Sequence, residues 1–389
     1  MADRLNIGIV GYKFMGKAHS NAYHKVSRFF DLPSSPVLKA ACGRHVDAVG
    51  EFAKKWGWQE IEASWEAMLD RDDIDIIDIA SPTNTHKDIA VEAARAGKHV
   101  LCEKPMALSA AEAREMYSAV KQAGVKHVVG FNYRRVPAIR YAKQLIDEGK
   151  LGRIFHWRGA YLQDWIVDPA FPLTWHLRKE SAGYGPHGDL NSHSVDLARF
   201  LIGEIKTVQC TMAHFIRERS LPDEATETAF EAGVGEGKGP VTVDDASFMV
   251  AEFENGALGS FEASRFASGR KNYNCFEIYG SKGSLCFNLE RMNELEFFSR
   301  EDDPGSQGFK TIMVTESTHP YISSWWPPGH TIGYEHTFIH QAADFFKAIH
   351  DDDTIEPNFY DGLRCMEVLD AAALSAKEGI RVNVPASER

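Results

Sequence analysis

The chain is poor in the features that mark several common protein classes. None of its apolar runs approaches the ~18–20 residues that a membrane-spanning helix needs, and no apolar leader precedes the first strand pattern at Leu5. Cysteine is scarce and unpatterned: six residues in 389, with no Cys-x-x-Cys and no spacing suited to a metal site. Cys42, Cys102, Cys210 and Cys286 fall in strand-like apolar runs, where a thiol behaves as a small hydrophobe. A reducing cytoplasm is the expected compartment. Positive charge is also short, since 43 Lys and Arg against 55 Asp and Glu leave a formal charge of −12. That balance argues against nucleic acid and anionic membranes as partners and favours a small uncharged or cationic ligand. Internal repeats and low-complexity tracts are missing too.

What is present is a strong alternation of short apolar runs and helical segments. At this length two domains are expected. Residues 5–10, 37–42, 74–79, 99–102 and 125–130 read as strands, separated by helices that include 85–96 and a segment closing at Gly124. Thr85–Asp88 and Ser109–Glu112 have the form of capping boxes, and Gly97 and Gly124 that of helix stops. Strands separated by helices of this length form βαβ units and a parallel sheet. After about residue 152 the strands follow one another with little helix between: 154–162, 205–215, 246–253, 256–264, 274–280, 285–288 and 294–298. One helix, 190–201, interrupts them, and two more close the chain at 335–349 and 361–377, with packing back on the first domain as one arrangement open to them. The expected organisation is therefore an α/β domain with a parallel sheet over residues 1–132 and an α+β domain over 133–389. The second is built on a large, mainly antiparallel open sheet. The acid- and glycine-rich segment 218–239 reads as a surface loop.

The first strand leads into Gly11-Tyr12-Lys13-Phe14-Met15-Gly16. A dinucleotide fingerprint has a third glycine where Lys13 stands. The position, between first strand and first helix, suits a nucleotide, and a helix N-terminus offers N–H groups to phosphate. Lys13 either adds its charge to the diphosphate or points to solvent. The second strand ends at Cys42-Gly43-Arg44. Without an acid at that end, Arg44 either binds the 2′-phosphate of NADP or stacks on an adenine, which leaves NAD and NADP both open. The run 98–105 ends in Glu103-Lys104-Pro105, and a lysine at the carboxyl end of a parallel strand faces the ligand crevice. Farther along, Asp189 and His193 stand four apart, on one face if a helix begins there. His187 with Asp189 also imitates a two-His, one-carboxylate iron site, but such a site is foreign to a βαβ nucleotide fold, and no metal is expected.

Together these motifs resemble the Gfo/Idh/MocA family of glucose–fructose oxidoreductases, inositol dehydrogenases and their relatives. The resemblance spans nearly the whole chain. It rests on Gly11–Gly16, Ser81-Pro-Thr-Asn-Thr-His86, Glu103-Lys104-Pro105, Asn132-Tyr-Arg134 and Asp189-x-x-x-His193. The stretches 161–165, 172–175 and 239–245 are most similar to its levoglucosan dehydrogenase branch. Lys13 and Asn191 depart from the family pattern, each standing where glycine is common. The resemblance implies a Rossmann N-terminal domain and NAD or NADP held by Gly11, Lys13, Phe14, Met15, Arg44, Ser81, Thr83, Asn84, His86, Glu103, Lys104, Asn132 and Trp175. It implies Lys104, Asp189 and His193 as the catalytic set. His193 would be the general base, and Asp189 would orient the sugar hydroxyls or the imidazole. Lys104 would hydrogen-bond the reacting oxygen. Glu103 would anchor the nicotinamide ribose or pair with Lys104, and Pro105 would fix the backbone, with a cis peptide as one way to do so.

Around expected loops the chain is dense in aromatic and hydrogen-bonding side chains, the mix a sugar pocket needs. Tyr133, Tyr161, Gln163, Asp164, Trp165, Trp326 and Tyr334 join Lys104, Asp189 and His193 as substrate-site candidates, with about half of the aromatics expected in the core. Arg134 and Arg135 read as structural or cofactor-facing. The expected activity is NAD(P)-dependent oxidation of a secondary ring hydroxyl of a neutral sugar, anhydrosugar or glycoside. An inositol dehydrogenase would use the same residues. A glycosidase that oxidises and re-reduces its sugar on a bound NAD is a rival of another class, as is a non-catalytic sugar or dinucleotide sensor. The open sheet has a face to cover, so a homodimer or homotetramer is expected.

Overall fold

The computed structural model describes residues 3–223 and 233–387. The middle of the expected 218–239 loop, 224–232, lies outside them. The chain divides into two compact units, Met1–Asn132 with Gly333–Met366, and Tyr133–Ile332 with Glu367–Arg389.

In the first unit six strands run parallel: β1 (Asp3–Val10), β2 (Ser34–Cys42), β3 (Glu60–Glu62), β4 (Ile76–Ile79), β5 (His99–Cys102) and β6 (His127–Val129). Their order is β3-β2-β1-β4-β5-β6. All four residues of β4 and the last three of β5 are buried, so side chains of both faces are covered. That is why these strands read as nearly unbroken apolar runs. The order reverses between β1 and β4, and in such sheets the crevice beyond the carboxyl ends at that point takes the ligand.

The helices are punctuated by local chemistry. Gly57 and Gly124 end theirs in the left-handed conformation, and Gly97 at φ +73° stops the helix His86–Arg95. Ser109 Oγ accepts from the Glu112 amide, while the Glu112 carboxylate reaches back to the Leu108 N–H. The box expected at Thr85 does not form. Its hydroxyl donates to the Pro82 carbonyl and meets Ser81 Oγ, binding the strand-end loop instead of the helix. Helix Tyr334–His350 packs along helix Phe14–Phe29, where Phe338 and Phe346 meet the rings of His19 and Tyr23 at 5.6 and 5.9 Å.

The second unit carries a nine-stranded sheet. Its strands are β7 (Ile154–Leu162), β8 (Ile205–Ala213), β11 (Ala246–Phe253), β12 (Leu258–Ser264), β13 (Tyr273–Gly280), β14 (Gly283–Asn288), β15 (Glu294–Ser299), β16 (Lys310–Met313) and β17 (Val382–Asn383). The order is β16-β15-β14-β13-β7-β12-β11-β8-β17, antiparallel except where β12 meets β7. Trp157 and Tyr161 of β7 point inward under helix Asn191–Leu201, whereas Phe248, Val250 and Leu258 are exposed on the other face. The described ends of the segment expected as a loop are strands instead: β9 (Glu218–Asp223) pairs antiparallel with β10 (Gly233–Pro240). Arg219 explains it. Its buried guanidinium donates to the carbonyls of Ile166, Asp168 and Phe171, which fixes one strand for the other to join.

Candidate active site

The carboxyl edge of the parallel sheet is built for close backbone approach. Gly11 sits at φ +119°, and a Cβ there would come within 2.4 Å of the Ala80 carbonyl oxygen. A Cβ at Gly16 would come equally near the Gly11 oxygen. The two glycines therefore let β1, the loop after β4 and the first helix meet at one point. The helix Phe14–Phe29 opens there behind Lys13, whose side chain has no oxygen with which to cap the first amides. A turn of this form, with a helix N-terminus at its mouth, fits a diphosphate. Phe14 stacks with Tyr334 at 6.3 Å, which places Tyr334 beside the glycine turn in the first unit. Arg44 is exposed just beyond β2, and its charge opposes the rise that burial gives the Tyr12 phenol pKa. This is the place where a ribose or its 2′-phosphate is read.

Beyond β4, Ser81 bonds Thr85, Thr83 is buried and Asn84 is exposed. His86 is committed to the protein itself. Its Nε2 faces the Ser81 carbonyl at 2.9 Å and its Nδ1 the Pro105 carbonyl at 3.1 Å, and burial lowers its pKa. It ties the loop after β4 to the loop after β5. The Lys104–Pro105 peptide is cis. Asn132, after β6, donates to Thr337 at 2.8 Å.

Glu103 is held from two sides. One oxygen bonds His19 Nε2 at 3.0 Å, and the other accepts the Lys104 backbone N–H at 3.2 Å. His19 Nδ1 in turn meets both oxygens of the fully buried Asp78 at 2.9 Å, and Tyr23 donates to that carboxylate. Burial alone would push the His19 pKa down, but the two carboxylates outweigh it and raise it to about 10. The ring bridges two buried carboxyl groups.

In the second unit, Asp189 closes the short helix Pro186–Asp189 and His193 lies in the helix Asn191–Leu201 that follows, so the two belong to separate helices. Asp189 is held by the buried Arg265 at 2.6 Å. The Tyr133 ring lies 4.4 Å from the His193 ring and the Tyr161 ring 5.9 Å. The two tyrosine hydroxyls are 3.0 Å apart. Asn272 gathers the group: its carbonyl oxygen accepts from Tyr161 at 2.6 Å and from Gln163 at 3.1 Å, and its amide reaches the Tyr133 hydroxyl at 3.4 Å. Trp165 donates to Gln163 and packs beside Ile166, Leu173 and Leu177. The result is a wall of hydroxyls and amides with aromatic faces around an imidazole, which suits a polyhydroxylated ring.

Several expected residues are engaged elsewhere. Asp164 pairs with Lys271 at 2.9 Å and accepts the Gly269 amide, so its carboxylate braces a loop and its pKa is lowered. Arg134 forms a buried two-point bond with Asp196 and is structural. His187 is buried between Ser247 and the Leu369 carbonyl, both ring nitrogens engaged at 2.9 Å, which is incompatible with the iron-site pattern. Trp175 stacks on His176, and Trp326 is half exposed. Arg265, Asn272 and His19 escaped the sequence reading. Only His19 had a local signal, a histidine on the buried face of the first helix.

Comparison with known proteins identifies the family and the fold. Residues 5–131 match the family model described as an oxidoreductase family, NAD-binding Rossmann fold, and residues 139–286 match the GFO/IDH/MocA C-terminal domain. A levoglucosan dehydrogenase of Pseudarthrobacter phenanthrenivorans is 44% identical over 98% of this chain and 99% of its own. A solved levoglucosan dehydrogenase in complex with NADH and levoglucosan superposes with a TM-score of 0.93 at 42% identity, covering 98% of this chain and all of the other. An oxidoreductase domain protein from Kribbella flavida gives 0.94 at 47% identity, over 99% and 100%.

Proposed function

The chain belongs to the Gfo/Idh/MocA family of oxidoreductases, and from that premise we propose that it oxidises a secondary ring hydroxyl of a neutral sugar, anhydrosugar or glycoside to the keto sugar with NAD or NADP. The observation that carries the reading is topological. Lys104 lies two residues beyond β5, on the same carboxyl edge as the Gly11–Gly16 turn and one strand from the reversal of strand order.

The nicotinamide, when bound, supplies the acceptor for the hydride that leaves the carbinol carbon. The chain's own residues do the rest. The Gly11–Met15 turn takes the diphosphate, Arg44 the adenosine ribose or its phosphate, and the loops at Ser81–Asn84 and Glu103–Lys104 the remainder of the dinucleotide. Lys104 Nζ donates a hydrogen bond to the reacting oxygen. A ring nitrogen of His193 accepts the hydroxyl proton, a role an imidazole fills near neutral pH. Asp189, held by Arg265, accepts from a neighbouring sugar hydroxyl. Tyr133, Tyr161 and Gln163, arranged by Asn272, bind the others. The exposed apolar residues Phe248, Val250 and Leu258 on the open sheet face support a homo-oligomer.

Reduced-nicotinamide formation with neutral sugars, anhydrosugars and cyclitols, each against NAD and NADP, tests the reading, with levoglucosan first. Turnover of a ring alcohol is the expected result. Release of an aglycone without net cofactor reduction would identify a glycosidase, and binding without turnover a sensor.

A further inference from the structure

The bridge His19–Asp78–Glu103 has no place in hydride or proton transfer as set out above, yet it is fully buried. Asp78 sits within β4, where every residue is buried, and Glu103 follows β5. Placing two carboxylates there is costly unless each is paired and hydrogen-bonded. His19 meets both needs, bonding Asp78 with one nitrogen and Glu103 with the other. Tyr23 completes the Asp78 side at 2.8 Å. Gly130 leaves the space that Glu103 fills, since a Cβ there would stand 2.5 Å from Oε1. One oxygen of Glu103 is thus fixed by the ring, and the other accepts the peptide N–H of Lys104.

We propose that His19 is a positioning residue for Lys104, acting through Glu103: the ring anchors the carboxylate to Asp78 and the first helix, and the carboxylate sets the backbone from which the lysine projects. A neutral or shorter side chain at 19 leaves Glu103 free to turn, and Lys104 loses its fixed origin. The proposal rests on the reading of Lys104 as the group that hydrogen-bonds the reacting oxygen. A misplacement of about 1 Å at such a group costs on the order of 10²-fold in rate.

The test is a double-mutant cycle on the full-length enzyme: wild type, His19→Gln, Lys104→Ala and the double variant, with kcat, KM for the sugar and dinucleotide affinity measured for each. His19→Gln should lower kcat by about 10²-fold with dinucleotide affinity kept. In the Lys104→Ala background the same change should cost little more, because the side chain it positions is gone. Should His19→Gln fail to fold, Glu103→Gln carries the same cycle with kcat as its readout. An equal loss in both backgrounds, or a loss that appears only in dinucleotide affinity, overturns the positioning role while leaving the function intact. Full activity of Lys104→Ala would instead overturn the reading of Lys104, and this inference with it.

Discussion

Replacing Arg265 by methionine isolates the clamp on Asp189. The guanidinium is buried, donates to the carboxylate at 2.6 Å and lies 5.0 Å from the Trp165 ring. Methionine keeps an apolar stem against that ring and removes the charge. A hydrogen bond to a charged group contributes about 1.5–3 kcal/mol. The Asp189 side chain is 28% exposed, so water replaces part of the loss and the lower end of the range applies. At roughly 2–4 °C per kcal/mol for a unit of this size, the melting temperature should fall by about 3–6 °C. Activity should suffer more. A carboxylate released from its clamp no longer meets the sugar hydroxyl in a fixed position, and kcat/KM should drop by about 10²-fold. Thermal melting and steady-state kinetics on one preparation measure both. Lowered melting with unchanged kcat/KM would refute the claim that Asp189 must be held to work.

Arg134→Met strands the buried Asp196 carboxylate and should destabilise the fold by about 3–5 kcal/mol, read by denaturant titration without substrate. Asn272→Ala removes the acceptor shared by Tyr161 and Gln163 and should raise KM for the sugar by about tenfold, at ~0.5–1.5 kcal/mol per bond, with dinucleotide KM unchanged. The His19 pKa is raised in the fold to about 10 from an ordinary value near ~6.5, so the stability it contributes is complete below the ordinary value and is lost as pH rises through about 10. The stability gap between wild type and His19→Gln should close over that window in denaturant titrations. His127 behaves oppositely: burial lowers its pKa to about 4, so its contribution is present above ~6.5 and disappears as pH falls through about 4. His127→Gln should flatten that acid limb.

The parallel sheet was legible because its strands are short apolar runs divided by glycine stops and a serine cap. Thr85 misled because its hydroxyl competes for a local carbonyl, a choice that composition does not reveal. The segment 218–239 misled because glycine and acids disfavour strands, whereas Arg219 imposes one through carbonyls 48 to 53 residues away. The same limit governs the site. Lys104 and the glycine turn announce themselves through their position after strands. Arg265 and Asn272 matter only through partners 76 and 111 residues distant, and nothing beside them in the chain marks them. Asp164 carried the right chemistry for a sugar, but Lys271 claims it.

The central claim is that a ring alcohol is oxidised on this chain with His193 as base and Lys104 at the reacting oxygen. The most direct test is the initial rate of reduced-nicotinamide formation from levoglucosan by wild type, His193→Ala and Lys104→Ala, with dinucleotide affinity measured alongside. Wild type should turn over, and each variant should lose about 10²–10⁴-fold with the dinucleotide still bound. Wild-type rates in either variant, or no reduction of NAD or NADP with any neutral sugar, would contradict it.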